Sequence, residues 1–252
     1  MNSIISNTRR IGNFTNSEIY RLLGINSAKA TERNKAMTYI AEKNKERRLQ
    51  RSLNSESQSK SIIWGKELEP YVFEHYLGLD YSYNSQQTIM HPDHVFWAGS
   101  PDGFFYNEDG SKEVIDVKCP YTLNSFCDLV DGIYTLENAT PLDYVKYFRE
   151  NHKDGDKYYW QLVGGACISN SDYARLIVFA PYKDELPQIK NSTLEKSIIY
   201  AYDDELPHLS RNGIYANLNV IRFEVPKEDK ELLTNCVIAA SKHLINNHKK
   251  QI

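Results

Sequence analysis

Four short stretches rich in strand-forming residues follow one another between residues 87 and 119, and this run constrains the fold more than any other part of the sequence. The stretches cover residues 87–90, 94–99, 102–106 and 113–119. The last two are joined by Asn107-Glu-Asp-Gly110, which is typical of a tight turn. The pattern predicts an antiparallel meander.

Helical patterns flank these strands. A short helix is expected up to Gly24 with Thr15 or Asn16 as its N-cap, followed by a basic helix over 29–51. An amphipathic helix is expected over 59–78, where Pro70 predicts a bend or a first turn. The remaining expected elements are helices over 123–130, 141–150 and 157–168, a strand over 173–180, strands near 197–202 and 220–225, and a helix from 227 to about 247. This order predicts an α/β fold in a single domain, because no repeat or linker divides the chain.

Length and charge limit the class of protein. A chain of 252 residues can bury about 70 to 75% of its unfolded surface, so it needs no disulfides to fold. Its four cysteines show neither CxxC spacing nor a pairing pattern, and they are therefore expected to be thiols in a reducing cytoplasm. It has no run of about 18 apolar residues and no secretory signal, which predicts a cytoplasmic protein without a membrane span. Residues 1–60 carry 12 Lys and Arg against 5 Glu, a balance of +7, whereas the rest of the chain carries −10. This basic arm is either a solvated helix face or a surface for nucleic acid.

The residues that carry chemistry are Ser100-Pro-Asp-Gly103 and Asp116-Val-Lys118. Side chains alternate along a strand, so Asp116 and Lys118 share one face while Val117 points into the core. If 102–106 pairs with 113–118 as a hairpin, Asp102 lies near Asp116, and two such carboxylates repel unless a cation lies between them. Mg²⁺ prefers oxygen ligands and activates a bound water, which suits phosphodiester hydrolysis with Lys118 beside the attacking water. Spacing alone leaves a surface ion pair as the alternative.

These segments resemble a known family. Ser100-Pro-Asp-Gly103 followed by Ile115-Asp-Val-Lys-Cys-Pro120 resembles the PD-(D/E)xK nuclease motif, in the form found in lambda exonuclease and YqaJ-type viral recombinases. Three further segments agree in the same order, from about residue 9 to 182: Arg10 to Glu18, Trp64 to Glu69, and Tyr158 to Gln161. The resemblance implies a restriction-endonuclease-like core, a mixed central sheet flanked by helices. We expect one domain over 1–252, with a basic helical arm over about 1–60, the nuclease core over about 61–182, and C-terminal strands and a helix over about 183–252.

The resemblance also implies roles for individual residues. Asp102 and Asp116 would bind Mg²⁺ through their carboxylates and Val117 through its backbone carbonyl, with Lys118 as the catalytic lysine. Glu69 would complete the acidic set, although Glu67 competes with it because Pro70 blurs the local helix register. Mn²⁺ is expected to substitute for Mg²⁺.

A second set of residues would hold the DNA end. By the same resemblance, Arg10, Ser17 and Ser100 would bind the 5′-phosphate with Thr15 nearby, since guanidinium and hydroxyl groups donate well to phosphate. Ser6 stands where the family has an aromatic residue. Gln161 would lie near the lysine or the scissile phosphate, the alternative being an exposed helix glutamine. Tyrosines in apolar patterns are expected in the core instead; these are Tyr158, Tyr173 and Tyr200.

The resemblance implies a Mg²⁺-dependent 5′ to 3′ exonuclease that acts on the ends of double-stranded DNA and leaves 3′ single strands for recombination by annealing. It further implies a ring-shaped homotrimer, a single-strand annealing protein as partner, and a phage origin with action in the bacterial cytoplasm. Two alternatives stay open: another PD-(D/E)xK endonuclease or nickase, and a nuclease-fold DNA-binding protein without catalysis.

Overall fold

A five-stranded mixed sheet forms the centre of the computed structural model, which describes residues 9–53, 59–85 and 87–245. The strands in chain order are β1 Phe14–Thr15, β2 Tyr81–Tyr83, β3 Ile89–Met90, β4 Trp97–Gly99, β5 Gly103–Tyr106, β6 Lys112–Lys118, β7 Tyr173–Phe179 and β8 Leu218–Glu224. The central sheet has the order β2-β5-β6-β7-β8, in which only the β6–β7 pairing is parallel. A smaller sheet of order β1-β4-β3 lies apart from it.

Helices cover both faces of the central sheet. A 3₁₀ helix spans Asn16–Gly24, and the α-helices are α1 Ala30–Leu49, α2 Lys60–His75, α3 Leu123–Thr135, α4 Pro141–Asn151, α5 Gly155–Ser169, α6 Leu186–Ser192, α7 Lys196–Ile199 and α8 Lys227–Ser241. One hydrophobic cluster joins the 3₁₀ helix, α1, α3, α4, α5 and α8 to one face of the sheet. A second cluster joins α2, α6 and α7 to the other face. Because apolar groups cover both faces of the sheet, the central strands are buried on both sides.

The alternation along β6 divides its side chains between the two clusters. Ile115 and Val117 pack with α2, whereas Val114 packs with the helices of the opposite face. The prediction that Val117 points into the core is therefore confirmed, and Asp116 and Lys118 share the face of Val114. The parallel step from β6 to β7 needs a long crossover, which α3, α4 and α5 supply.

Local sequence explains where the helices begin. The Ser59 hydroxyl accepts a hydrogen bond from the Ile62 amide at the start of α2, and Thr122 does the same for Ser125 at the start of α3. α2 continues through Pro70 instead of ending there. Pro70 therefore marks neither a first turn nor a boundary.

Several sequence predictions are wrong in detail. The four strand-like stretches do not form one meander: β3 and β4 pair in the small sheet, whereas β5 and β6 pair in the central one. Residues 197–202 do not form a strand. Ile198 lies instead in α7, a single helical turn, and packs in the second cluster together with α2. Tyr200, expected in the core, is 77% exposed. The predicted helix before Gly24 is a 3₁₀ helix.

Parts of the predicted elements lie outside the described residues. These are residues 1–8 and 54–58 of the basic arm, which include Ser6, and residues 246 and 247 of the last helix. Within the described ranges, no helix is long and apolar enough to cross a membrane.

Candidate active site

Three acidic side chains and one lysine from separate segments meet at one end of the β5–β6 hairpin. Asp102 immediately precedes β5, and its backbone N–H donates to the Ile115 carbonyl (3.1 Å). The Asp102 carboxylate accepts from the Val117 N–H at Oδ2 (2.7 Å). The hairpin therefore forms as the spacing predicted, and it places Asp102 beside the strand that carries Asp116 and Lys118.

Asp116 is held through both carboxylate oxygens. Lys118 Nζ lies 2.5 Å from Oδ2, and Gln161 Nε2 on α5 donates to Oδ1 (2.6 Å). Asp116 is only 3% exposed, so this is a buried ion pair and not a surface one. Gln161 is half-buried and donates to Asp116, so it is not the exposed helix glutamine that was the alternative.

Glu69 and Glu67 point to different surroundings. Glu67 accepts a hydrogen bond from the Thr193 hydroxyl at the end of α6. The Glu69 carboxyl interacts with Asp116 and Lys118 and is bonded by the Tyr83 hydroxyl. Its Oε1 is buried and has no hydrogen-bond partner among the described residues. Of the two glutamates, Glu69 is the one that the fold brings to the cluster.

The electrostatics of the cluster favour a bound cation. Burial raises the pKa of Asp102 well above its usual range, and the charges of Asp116 and Glu69 add to the rise. Burial also raises the pKa of Glu69 to about 7; Lys118 opposes this rise and Asp116 adds to it. Burial alone would lower the pKa of Lys118, but the Asp116 and Asp102 carboxylates outweigh it and raise that pKa. One amine therefore faces three carboxyl groups.

The donor set fits a hard divalent ion. It consists of carboxylate oxygens, and the buried Glu69 Oε1 and Asp116 Oδ2 have no hydrogen-bond partner among the described residues, although Asp116 Oδ2 forms an ion pair with Lys118. Such oxygens are what Mg²⁺ and Mn²⁺ prefer. Across residues 9–53, 59–85 and 87–245, however, no three Asp, Glu, His or Cys side chains are already arranged to bind one metal ion. Val117, Lys118 and Gln161 contact oxygens of Asp102 and Asp116. An ion would have to displace some of these contacts.

A cleft adjoins the acidic cluster on the side of α5. Its empty space is about 350 Å³, part of which is open to solvent, and Asp116 and Gln161 line one part of it. Arg10, Ser17 and Ser100 line the rest, so the fold brings these three predicted residues together. The Arg10 side chain makes no hydrogen bond or ion pair with any residue that the structure describes.

Thr15 does not line this cleft. It is 6% exposed, and its hydroxyl lies 3.4 Å from that of Ser17 and 3.3 Å from that of Tyr39. It supports Ser17 from behind and offers no surface to a ligand.

The sequence reasoning missed two tyrosines at the site. Lys118 Nζ lies 4.8 Å from the centroid of the Tyr158 ring, which is a cation–π distance, so Tyr158 is part of the site. The spacing of three residues between Tyr158 and Gln161 on α5 places them on one helix face and could have indicated this. Tyr83 contacts Glu69 from the edge strand β2, and no sequence signal pointed to it.

The mixed sheet flanked by helices, with the acidic cluster and lysine on its central hairpin, defines a nuclease fold of the PD-(D/E)xK type. Residues 7–151 match the family of the YqaJ-like viral recombinase domain, and the chain belongs to this family. The match ends before α5, so Tyr158 and Gln161 lie outside it.

Three solved structures with a similar fold are of exonucleases. LHK-Exo of Laribacter hongkongensis, an alkaline exonuclease, is similar in its complex with dAMP (17% identity, TM-score 0.54, 95% of this chain and 91% of that chain) and in a second structure (16%, 0.51, 95% and 93%). A phage-related exonuclease of Haemophilus somnus 129PT is similar over 92% of both chains (16%, 0.59). No curated protein sequence matches significantly. Family and fold together support a phage-type exonuclease.

Proposed function

We propose that this protein is a metal-dependent exonuclease that degrades duplex DNA from 5′ ends and leaves 3′ single strands for recombination by annealing. One observation carries the proposal: a cleft lined by Arg10, Ser17 and Ser100 opens onto Asp116 and Gln161 of the acidic cluster. An anion-binding group and a hydrolytic group therefore adjoin each other.

Glu69, Asp102, Asp116 and the Val117 carbonyl would hold Mg²⁺, or Mn²⁺ in its place. When bound, the ion supplies Lewis acidity and a water of lowered pKa. Lys118 remains protonated beside Asp116 and donates to the attacking water or to the phosphoryl oxygens as their charge grows. Gln161 fixes the orientation of the Asp116 carboxylate through its 2.6 Å hydrogen bond.

The cleft supports the proposed direction of digestion. Arg10 is a permanent cation without an internal partner among the described residues, and the Ser17 and Ser100 hydroxyls lie in the same cleft. A terminal 5′-phosphate held there would place an internucleotide bond next to the acidic cluster, so that mononucleotides are released. The dAMP complex of the similar LHK-Exo supports a site that accepts a mononucleotide.

The proposal extends, by analogy with the family, to an assembly and a partner protein. A closed homotrimeric ring around DNA would make digestion processive, and a single-strand annealing protein would receive the 3′ strand in the cytoplasm of a bacterial host. The proposed substrate is a DNA end, whether or not the ring and the annealing protein are present.

Linear duplexes labelled at one end or the other, with and without a 5′-phosphate, test the proposal together with a covalently closed circle. We expect Mg²⁺-dependent loss of the 5′ label as mononucleotide, faster digestion of phosphorylated ends, and intact circles. Rapid linearisation of the circle would instead favour an endonuclease or nickase. Binding without any cleavage in Mg²⁺ or Mn²⁺ would favour a non-catalytic DNA-binding protein.

A further inference from the structure

Asn16 lines the same cleft as Arg10 and Ser17, although the sequence suggested for it only a role as a helix cap. Its side chain is 5% exposed, and its Oδ1 accepts a hydrogen bond from the Trp97 indole Nε1 (2.8 Å). A buried carboxamide at the edge of a cleft raises the question of where its two N–H donors go.

The contact with Trp97 decides the orientation of the amide. An indole N–H can only donate, so Asn16 must turn its oxygen toward Trp97 and its Nδ2 away from it. No acceptor within the described part of the chain takes a hydrogen bond from that Nδ2. Asn16 Nδ2 is not among the fully buried atoms that lack a partner, so this free donor is accessible from the cleft that Asn16 lines, where a ligand can accept its hydrogen bonds.

Two glycines form a slot for this amide. A Cβ at Gly99 would lie 2.2 Å from Asn16 Nδ2, and a Cβ at Gly164 would lie 2.8 Å from Asn16 Oδ1. Any side chain at either position would displace the carboxamide. Gly99 also precedes Ser100, so the free donor lies on the side of the residues proposed to bind phosphate.

We propose that Asn16 donates Nδ2 to the terminal 5′-phosphate of the DNA end, so that it joins Arg10, Ser17 and Ser100 as a specificity-determining residue. This inference rests on the proposed function. The cleft offers one guanidinium, two hydroxyls and one amide donor, a set that suits the several oxygens of a phosphate monoester.

The sharpest test is Asn16→Asp, which keeps an oxygen for the Trp97 N–H and replaces the donor by a negative charge. The readout is the ratio of kcat/KM for 5′-phosphorylated over 5′-hydroxyl linear duplexes. We expect this ratio to fall by about 10- to 100-fold, the amount typical of one hydrogen bond to a charged group. Asn34→Asp, which adds the same charge on the exposed surface of α1, is the matched control and should leave the ratio unchanged.

A second variant keeps the test decisive. Asn16→Ala removes the donor without adding charge and should also lower the ratio, even if loss of the Trp97 partner lowers stability. If both variants keep the wild-type ratio, Asn16 only supports Trp97 and the inference is wrong.

Failure of the inference is distinguishable from failure of the proposed function. A wild type that digests linear DNA without preferring 5′-phosphates would overturn the inference and leave hydrolysis intact. If the wild type cleaves nothing, the proposed function fails, and fluorescence anisotropy of phosphorylated and hydroxyl duplexes still decides the inference. In that case an Asn16→Asp variant that binds both duplexes as the wild type does would overturn it.

Discussion

Replacing Glu69 by Gln is expected to stabilise the metal-free protein at pH 8 and to leave it nearly unchanged at pH 4.5. The reason is the burial of Glu69 beside Asp116, which raises its pKa from an ordinary 4.5 to about 7 in the folded state. An acid whose pKa is higher in the folded than in the unfolded chain stabilises the fold least when it is ionised. Stability is therefore lost as the pH rises from 4.5 through 7.

The difference between these two pKa values sets the size of the effect. Because one pH unit corresponds to about 1.4 kcal/mol, the ionised wild type should be less stable than Glu69→Gln by at most about 3 kcal/mol at pH 8. Near pH 4.5 both forms carry an essentially neutral group in the folded state, so the difference should shrink to about 0.4 kcal/mol.

Urea denaturation in EDTA at the two pH values measures this difference. Glu67→Gln is the matched control, because it removes a carboxylate from the same helix at a position that faces Thr193. The reasoning would be refuted if Glu69→Gln were no more stable than the wild type at pH 8, or if Glu67→Gln gave an equal gain. Adding Mn²⁺ at pH 8 should make the wild type more stable than Glu69→Gln, since the ion stabilises the form that retains the carboxylate.

Three further changes test the site and the sheet. Lys118→Ala should lower cleavage by at least about 100-fold while DNA binding measured by anisotropy persists; an active variant would remove Lys118 from the proposed chemistry. Glu113→Ala should cost about 3 kcal/mol in urea denaturation, because the fully buried carboxylate holds two arginines at 2.5 and 2.8 Å; Glu113→Gln should cost less, and equal costs would contradict the ionic explanation. Gly103→Ala should separate β2 from β5 and destabilise the protein by about 1–3 kcal/mol, since its Cβ would lie 2.4 Å from the Ser82 carbonyl. Gly65→Ala is its control: with nothing within 4 Å of the added Cβ, it should stabilise α2 by about 0.5–1 kcal/mol, and similar effects of both substitutions would be evidence against the steric argument.

The hairpin of the site could be predicted because it depends on local rules. The turn at Asn107-Glu-Asp-Gly110 and the period of two along β6 are properties of neighbouring residues. They place the Asp116 and Val117 side chains on opposite faces of β6. The other strands could not be assigned in this way. β3 and β4 look like the hairpin strands in composition, yet they pair in a separate sheet, because pairing depends on distant partners such as β1.

The chemistry of the site divides in the same way. The residue types in the Asp116-Val-Lys118 motif and their spacing determined that a carboxylate and a lysine would share one face of a strand, because side chains alternate along it. Only the tertiary structure placed Glu69 and not Glu67 in the acidic cluster, put Thr15 behind Ser17, and turned the Asn16 amide oxygen toward Trp97. These outcomes depend on which buried donors and acceptors meet across the fold, and that pairing is a property of the packed chain and not of any one segment.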